Sequence, residues 1–375
     1  MHGAEEPRAK GGRLMLTRRR FVLTAMSAAA LAAPARAQVL EWRGAALGGE
    51  ATLRVHGARD AGAAALAEAV AEIARLERLF SLYDATSQLS RLNAAGRLAA
   101  PALDLVAALR AAERWRAATA GAFDMRVQPL WRARAEGRDP EAAREAAQAP
   151  VAIASAAVTL APGAGLTLNG LAQGTIADRV SAALARRGFT RMMVDAGEMR
   201  LSGPARRVAV PQVGVTLRLA DAALAVSAPG ALRFADGAGH ILDPRGAGAE
   251  RWRAVAVVAR AGPDAAETAD ALSTAFAVSA PDLIDAVARA AGAGTLARGD
   301  GGRLRHAGSA AVARAGGRAR PRGGARGRAG AGRDRVGGGH AGAGRGADAE
   351  RSCAGDHRRP RERGSRAARV YAHDG

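Results

Sequence analysis

Residues 168–197 read LNGLAQGTIADRVSAALARRGFTRMMVDAG. Two periodicities meet here. Between Gly174 and Gly188, Ile176, Val180 and Leu184 recur every four residues and lay one apolar stripe along a helix. Gly188 is placed to stop that helix. Directly after it, residues 191–197 (RMMVDAG) run short and apolar, as a buried strand does. A helix feeding a strand suits both a doubly wound α/β fold and an α+β fold. The order of the flanking elements decides between them.

Upstream, ATLRVHG (51–57) reads as a strand, and the next 24 residues, AGAAALAEAVAEIARLERLFSLYD (61–84), read as a helix. Leu66, Val70, Ile73, Leu76 and Phe80 line one side of it. PALDLVAALRAAERWRAAT (101–119) predicts a second helix, with Pro101 in its first turn and Leu105, Leu109 and Ala112 on its stripe. Downstream come strand patterns at 207–210, 213–220, 223–228 and 253–260, then helices from Pro263 to about Phe276 and from Pro281 onward. Helices, then strands, then helices, without βαβ alternation, predict an α+β fold. There is no internal repeat and no G-x-G-x-x-G after a strand.

The chain has 375 residues, enough for a large apolar core. Its formal charge of +20 would suit a nucleic-acid or membrane partner if it were spread over a folded face. Roughly half of the excess instead falls in residues 309–375, which are rich in Arg and Gly and lack hydrophobic periodicity. Aromatic residues are not interleaved with the arginines of that run to stack on bases, so no nucleic-acid partner is expected. That segment is expected to be a disordered tail or the product of a reading-frame slip. Cys353 is the only cysteine, which excludes an internal disulfide and a cysteine metal site. Residues 1–37 read as an export signal: Arg18–Arg20, a soft apolar run from Phe21 to Ala33, and Ala-Arg-Ala at 35–37. The paired arginines resemble a twin-arginine signal cleaved after Ala37, which places the mature protein in the periplasm. The alternative is an uncleaved signal that anchors it to the inner membrane. Residues 38–308 form the expected domain.

Five stretches interrupt the apolar patterns with polar groups. SLYDATSQLSRLN (81–93) carries Tyr83 and Asn93 after a helix, and it reads either as a ligand-stacking segment or as a capped loop. GAFDMRVQPLW (121–131) sets Asp124 among apolar neighbours, where it orients a ligand or caps a turn. LNGLAQG (168–174) puts glycines before a helix start, where backbone N–H groups can approach an anion. It is no Walker loop, because GK[ST] is absent. Asp178 follows in the first turns, where the helix dipole favours it. GHILDPRGAG (239–248) holds His240 beside turn residues. ETADALSTAFAV (267–278) puts Asp270 and Thr274 four apart on one helix face, two hard oxygens of the kind Mg²⁺ takes. From spacing alone that pair reads as a solvated face with a back-bonding threonine.

In this order the five stretches resemble the ApbE family of FAD:protein FMN transferases over about residues 40–308. SLYDATSQLSRLN is similar to S-x-Y…S-x-[LI]-S-x-[LF]-N, GAFDMRVQPL to G-x-F-D-x-[TS]-V-x-P-L, GHILDPRGAG to H-[IL]-[IL]-D-P-[RK]-T-G, and ADALSTA to A-D-[AG]-[LW]-[AS]-T-[AT]. LNGLAQGTIAD resembles L-G-G-[IL]-[AG]-K-G-x-x-x-D. The resemblance implies an α+β fold related to the T-fold, with mixed sheets, helices and an FAD cleft. It implies Mg²⁺-dependent transfer of FMN from FAD to a threonine hydroxyl of a membrane-associated or periplasmic flavoprotein, an electron-transfer subunit, with release of AMP. FAD hydrolysis to FMN and AMP, or non-catalytic flavin binding by an assembly factor, are the alternatives. The Ala172 carbonyl, Asp270 and Thr274 are implied to hold the metal. Tyr83, Asn93, Asp124, Ala172, Gln173, Asp178, Ser227 and His240 are implied to bind FAD, and His240 and Asp270 to act in catalysis. Four positions depart from the pattern: Gln173 stands for the usual lysine, Glu198 for the second glycine of G-G, Gly246 for a threonine, and VSAPG (226–230) for [TS]-S-G. The N-G-L-A-Q-G reading resembles a branch of the family associated with nitrous-oxide reductase maturation.

Overall fold

The computed structural model describes residues 38–246, 251–308 and 371–373. The export signal, and the Arg/Gly-rich segment apart from 371–373, lie outside the described residues. The chain opens on a hairpin, β1 (Gln38–Ala46) and β2 (Gly49–Gly57). Then follow α1 (Arg59–Phe80), α2 (Gln88–Ala95), β3 (Arg97–Ala99), α3 (Leu103–Ala118), α4 (Gln128–Ala135), α5 (Arg144–Gln148), β4 (Val151–Ile153) and β5 (Ala157–Leu160). The decisive stretch forms α6 (Ala172–Arg186) and β6 (Met192–Asp195). After it come β7 (Met199–Ser202), β8 (Arg206–Val210), β9 (Val215–Leu219), β10 (Ala222–Ser227) and β11 (Ala254–Arg260). The remainder is α7 (Ala265–Ala277), α8 (Pro281–Ala290), β12 (Gly294–Arg298), β13 (Leu304–Gly308) and the short β14 (Tyr371–His373).

The main sheet has eight strands in the order β1-β2-β6-β7-β10-β11-β12-β13, and every neighbouring pair is antiparallel. This is the expected α+β class, and it excludes a doubly wound parallel sheet. Both faces of the sheet are covered, which the sequence shows as near-continuous apolar strands. Along β10, Ala223 and Ala225 face the helices, while Ala222 and Leu224 face the β8–β9 hairpin. In β11, Val255 and Val257 join the first core and Ala256 and Val258 the second. β14 pairs with β8, and β3, β5 and β4 form a small separate sheet. Among the described residues no helix is long and apolar enough to cross a membrane.

Pro101 precedes α3 rather than occupying its first turn. Ala102, the residue before the helix, is extended, and its N–H is held by Gln88 Oε1 at 2.9 Å. The α1 and α6 stripes are buried as expected, with Leu66, Ile73, Leu76, Phe80, Ile176, Val180 and Leu184 all in the core.

Helix α7 does not have the solvated face that its spacing alone suggested. Its residues are buried nearly all round, between α6 on one side and β10 and β11 on the other. Alanine dominates it because small side chains let neighbouring backbones come close. Gly174 in α6 is the extreme case: a Cβ there would overlap the Ala266 carbonyl and crowd the Glu267 N–H. Gly174→Ala is therefore expected to push α6 and α7 apart. The overpacking should cost about 1–3 kcal/mol, read as a fall in thermal midpoint, with loss of FAD affinity because Gly174 also belongs to the site.

Candidate active site

Four segments converge at the N-terminal end of α6. Helix α7 brings Asp270, Ser273 and Thr274, the end of β10 brings Ser227, and the β6–β7 turn brings Glu198. The N-terminus of α6 brings Ala172, Gln173 and Gly174. Asp270 is 3% exposed, and its Oδ2 accepts the Gly174 N–H at 3.0 Å. A carboxylate there sits on the positive end of the α6 dipole. Burial still dominates and lifts its carboxyl to about 7; the Gly174 N–H pulls it down and Glu267 pushes it further up. Ser273 Oγ donates to the Asp270 carbonyl at 3.0 Å and shares a hydrogen bond with Ser227 Oγ at 2.8 Å. Ser227 is thus tied to α7 from the adjacent strand.

Thr274 is half-buried opposite Gly170. A Cβ on Gly170 would stand 3.2 Å from Thr274 Oγ1 and 3.0 Å from Phe123. The absence of a side chain there keeps the hydroxyl accessible. Among the described residues no three His, Cys, Asp or Glu side chains converge on one point. A cation here would take carboxylate, hydroxyl and backbone oxygens, a donor set that fits Mg²⁺ and excludes a soft metal. Ala172 is buried as the first residue of α6, held through its N–H to the Leu168 carbonyl at 2.8 Å.

Glu198, which the sequence reading noted only as a departure, lies in this cluster. It is 9% exposed, and its Oε2 accepts the Val226 N–H at 3.2 Å. Burial first, then repulsion from Asp270 and Asp195, push its carboxyl well above the usual range. The Gln173 amide packs against the Cα positions of Gly197 and Gly49.

Besides Ser227, which is hydrogen-bonded to Ser273, three more of the expected flavin contacts have partners within the protein. Asp178 is buried with its oxygens on the N-terminus of α7: Ala266 N–H at 2.9 Å and Glu267 N–H at 2.9 Å, both to Oδ2. Arg200 completes its shell at 2.7 Å. Its position in the first turns of α6 was legible; that it would cap a different helix was not. Burial lifts its carboxyl to about 7 against those N–H donors and Arg200. Asn93 spends both side-chain polar atoms on the backbone of Leu166, at 2.8 Å each, and so fixes the loop that leads into LNGLAQG. Asp124 caps the short 3₁₀ turn Met125–Val127 and pairs twice with Arg126, at 2.9 and 2.6 Å.

Tyr83 is 75% exposed. His240 is half-buried, with Nδ1 at 3.1 Å from the Pro229 carbonyl and 3.3 Å from that of Leu232. A ring that donates Nδ1–H to either carbonyl keeps its lone pair on Nε2. The same loop borders a cavity of about 620 Å³, lined by Pro229, Leu242, Arg134, Arg144, Arg233 and Val278 among others. Asp270, Thr274 and Ala172 are not among its walls. The cavity begins one turn of α7 beyond Thr274, at Ala277 and Val278.

The sequence profile of the ApbE family matches residues 47–296. The chain belongs to the ApbE family. All the converging residues above lie inside the matched span. The structure is similar to the flavin transferase ApbE from Vibrio cholerae, with 22% identity and a TM-score of 0.62 over 74% of this chain and 98% of that one. It is also similar to the apo form of Pseudomonas stutzeri flavinyl transferase ApbE (25% identity, TM-score 0.62, 74% and 97% covered). A third relative is the ApbE protein of Thermotoga maritima (24%, TM-score 0.59, 72% and 97%). Comparison with curated proteins returned no match. In this fold the Gln173 amide lies against Gly197, the residue before Glu198, where the β6–β7 turn meets α6.

Proposed function

We propose that this ApbE chain transfers the FMN half of FAD to a threonine hydroxyl of a flavoprotein acceptor, with a divalent cation and release of AMP. The observation that carries the reading is the buried Asp270 carboxylate, fixed by the Gly174 N–H beside the Thr274 hydroxyl, in a chain of this family. A divalent cation held by Asp270, Thr274 and the Ala172 carbonyl would neutralise charge on the FAD diphosphate. The protein's own contribution is positioning. The α6 N-terminus fixes the Asp270 carboxylate through the Gly174 N–H, while its Ala172 N–H is held by the Leu168 carbonyl. Asn93 fixes the loop before it, and Ser227 braces α7. His240, with Nδ1 engaged by a backbone carbonyl, has Nε2 available to take the acceptor hydroxyl proton. The threonine oxygen then bonds to the FMN phosphorus, the bond to the bridging oxygen breaks, and AMP leaves.

The acceptor proposed is a membrane-associated or periplasmic electron-transfer flavoprotein, reached after export by the signal at 1–37. The N-G-L-A-Q-G reading at 169–174 supports the nitrous-oxide-reduction branch as its context. The test is incubation of the purified chain with FAD, Mg²⁺ and a threonine-bearing flavoprotein subunit. Covalent flavin fluorescence on the denatured acceptor, with stoichiometric AMP, is the expected result. FMN and AMP without labelling would make the protein a pyrophosphatase, and FAD binding without turnover would make it a carrier.

A further inference from the structure

We propose that Glu198 is a second carboxylate ligand of the divalent cation assigned above to Asp270 and Thr274, an inference that rests on that cation reading. The two acids come from opposite sides of one contact. Glu198 leaves the β6–β7 turn and is fixed by the Val226 N–H of β10. The next residue of β10, Ser227, is hydrogen-bonded to Ser273, which donates to the carbonyl of Asp270. The end of β10 therefore fixes Glu198 and braces the helix that carries Asp270, whose carboxylate is held by the Gly174 N–H. Each is at least nine-tenths buried, and the field of Asp270 acts on Glu198.

Two buried carboxylates within each other's field are costly unless they are protonated or a cation lies with them. Among the described residues neither is paired with a guanidinium. Gln173, whose amide lies against Gly197 beside Glu198, is neutral where the family pattern carries a lysine. At this spot the chain carries a buried acid, Glu198, and, at Gln173, a neutral amide. A hard divalent cation is the counter-charge that suits such a place, and the Thr274 hydroxyl kept accessible by Gly170 adds a third oxygen. Affinity at oxygen sites rises with the number of charged ligands, so this chain should hold its cation more tightly than an ApbE protein with glycine at the position of Glu198.

The test uses the full chain without FAD and Mn²⁺ as the probe, with free Mn²⁺ followed by its electron paramagnetic resonance signal. Glu198→Gln keeps an oxygen for the Val226 N–H and removes the charge. It is expected to weaken Mn²⁺ binding about tenfold or more, and to shrink the rise in Tm that Mn²⁺ induces. Glu198→Gly, which restores the glycine of the family pattern, should show the same loss and serves if the glutamine variant folds poorly. Unchanged Mn²⁺ affinity in both variants, with binding lost in Asp270→Asn, would overturn the role of Glu198 and leave the cation reading standing. Unchanged affinity in Asp270→Asn as well would overturn the cation reading itself.

Discussion

Asp270→Asn is expected to lower flavin transfer by about a hundred- to a thousandfold, the scale of removing one fixed charge-stabilising group from a preorganised site. Asparagine keeps the size of the side chain and an oxygen for the Gly174 N–H, so the loss would report charge rather than shape. The fold should not suffer. Burial raises the Asp270 carboxyl from an unfolded value near 3.8 to about 7. Between those values the folded state binds the extra proton, so the stability from this group is complete below the lower value and lost as pH rises through the upper one. At pH 8 the wild type carries a buried carboxylate that the variant lacks. Asp270→Asn should therefore melt no lower than wild type at pH 8. The same titration gives a pH dependence of loading. A protonated Asp270 cannot hold a cation, so Mg²⁺ affinity should climb as pH rises through about 7. Calorimetry in buffers of different ionisation enthalpy would show the released proton. Wild-type transfer rates in Asp270→Asn, or an Mg²⁺ affinity flat from pH 5 to 8, would remove Asp270 from the metal site.

Local periodicity made α1, α3, α6, α7 and α8 legible in the sequence, because each carries an apolar stripe or a proline start within one continuous segment. The central strands β6, β10 and β11 were legible because burial on both faces makes them apolar throughout. β1, β12 and β13 were not. β1 and β13 lie at the edges of the sheet, where one side has no partner strand and exposed positions break the pattern. β12 is short and opens on Gly294, a poor strand former. In the site, the Asp270–Thr274 pair could be placed on one helix face, but its burial could not be inferred. Burial depends on α6, β10 and β11, which lie outside the local pattern of the helix. Glu198 could be noted as a departure from a motif. That it would approach Asp270 depends on the pairing of β7 with β10, which no local pattern encodes. Asn93 and Asp124 were implied by their motifs to bind FAD, whereas their side chains hold the Leu166 backbone and Arg126, since a polar residue in a motif can grip its own chain as easily as a ligand.

Asp178 carries the second large expected effect, and it falls on stability. Helix α7 begins after Asp264, whose side chain makes no capping bond. The first N–H groups of the helix therefore need an acceptor from elsewhere, as every helix start does. Asp178 supplies it from α6, with Oδ2 on the Ala266 and Glu267 N–H groups and Oδ1 on Arg200. Its side chain is 5% exposed and that of Arg200 13%, so water cannot substitute when the acid is removed. Asp178→Ala would strand two backbone donors and a guanidinium in the interior, a loss of about 3–5 kcal/mol. In urea the midpoint should fall with an unchanged slope, the signature of lost stability rather than altered compactness. Asn at 178 should lose less, since one oxygen remains for the helix while the amide opposes Arg200. Asp178 belongs to the frame that presents Asp270, so the folded fraction of the alanine variant should still bind FAD. A midpoint within 1 kcal/mol of wild type, together with lost FAD binding, would return Asp178 to the flavin contacts and take the capping role from it.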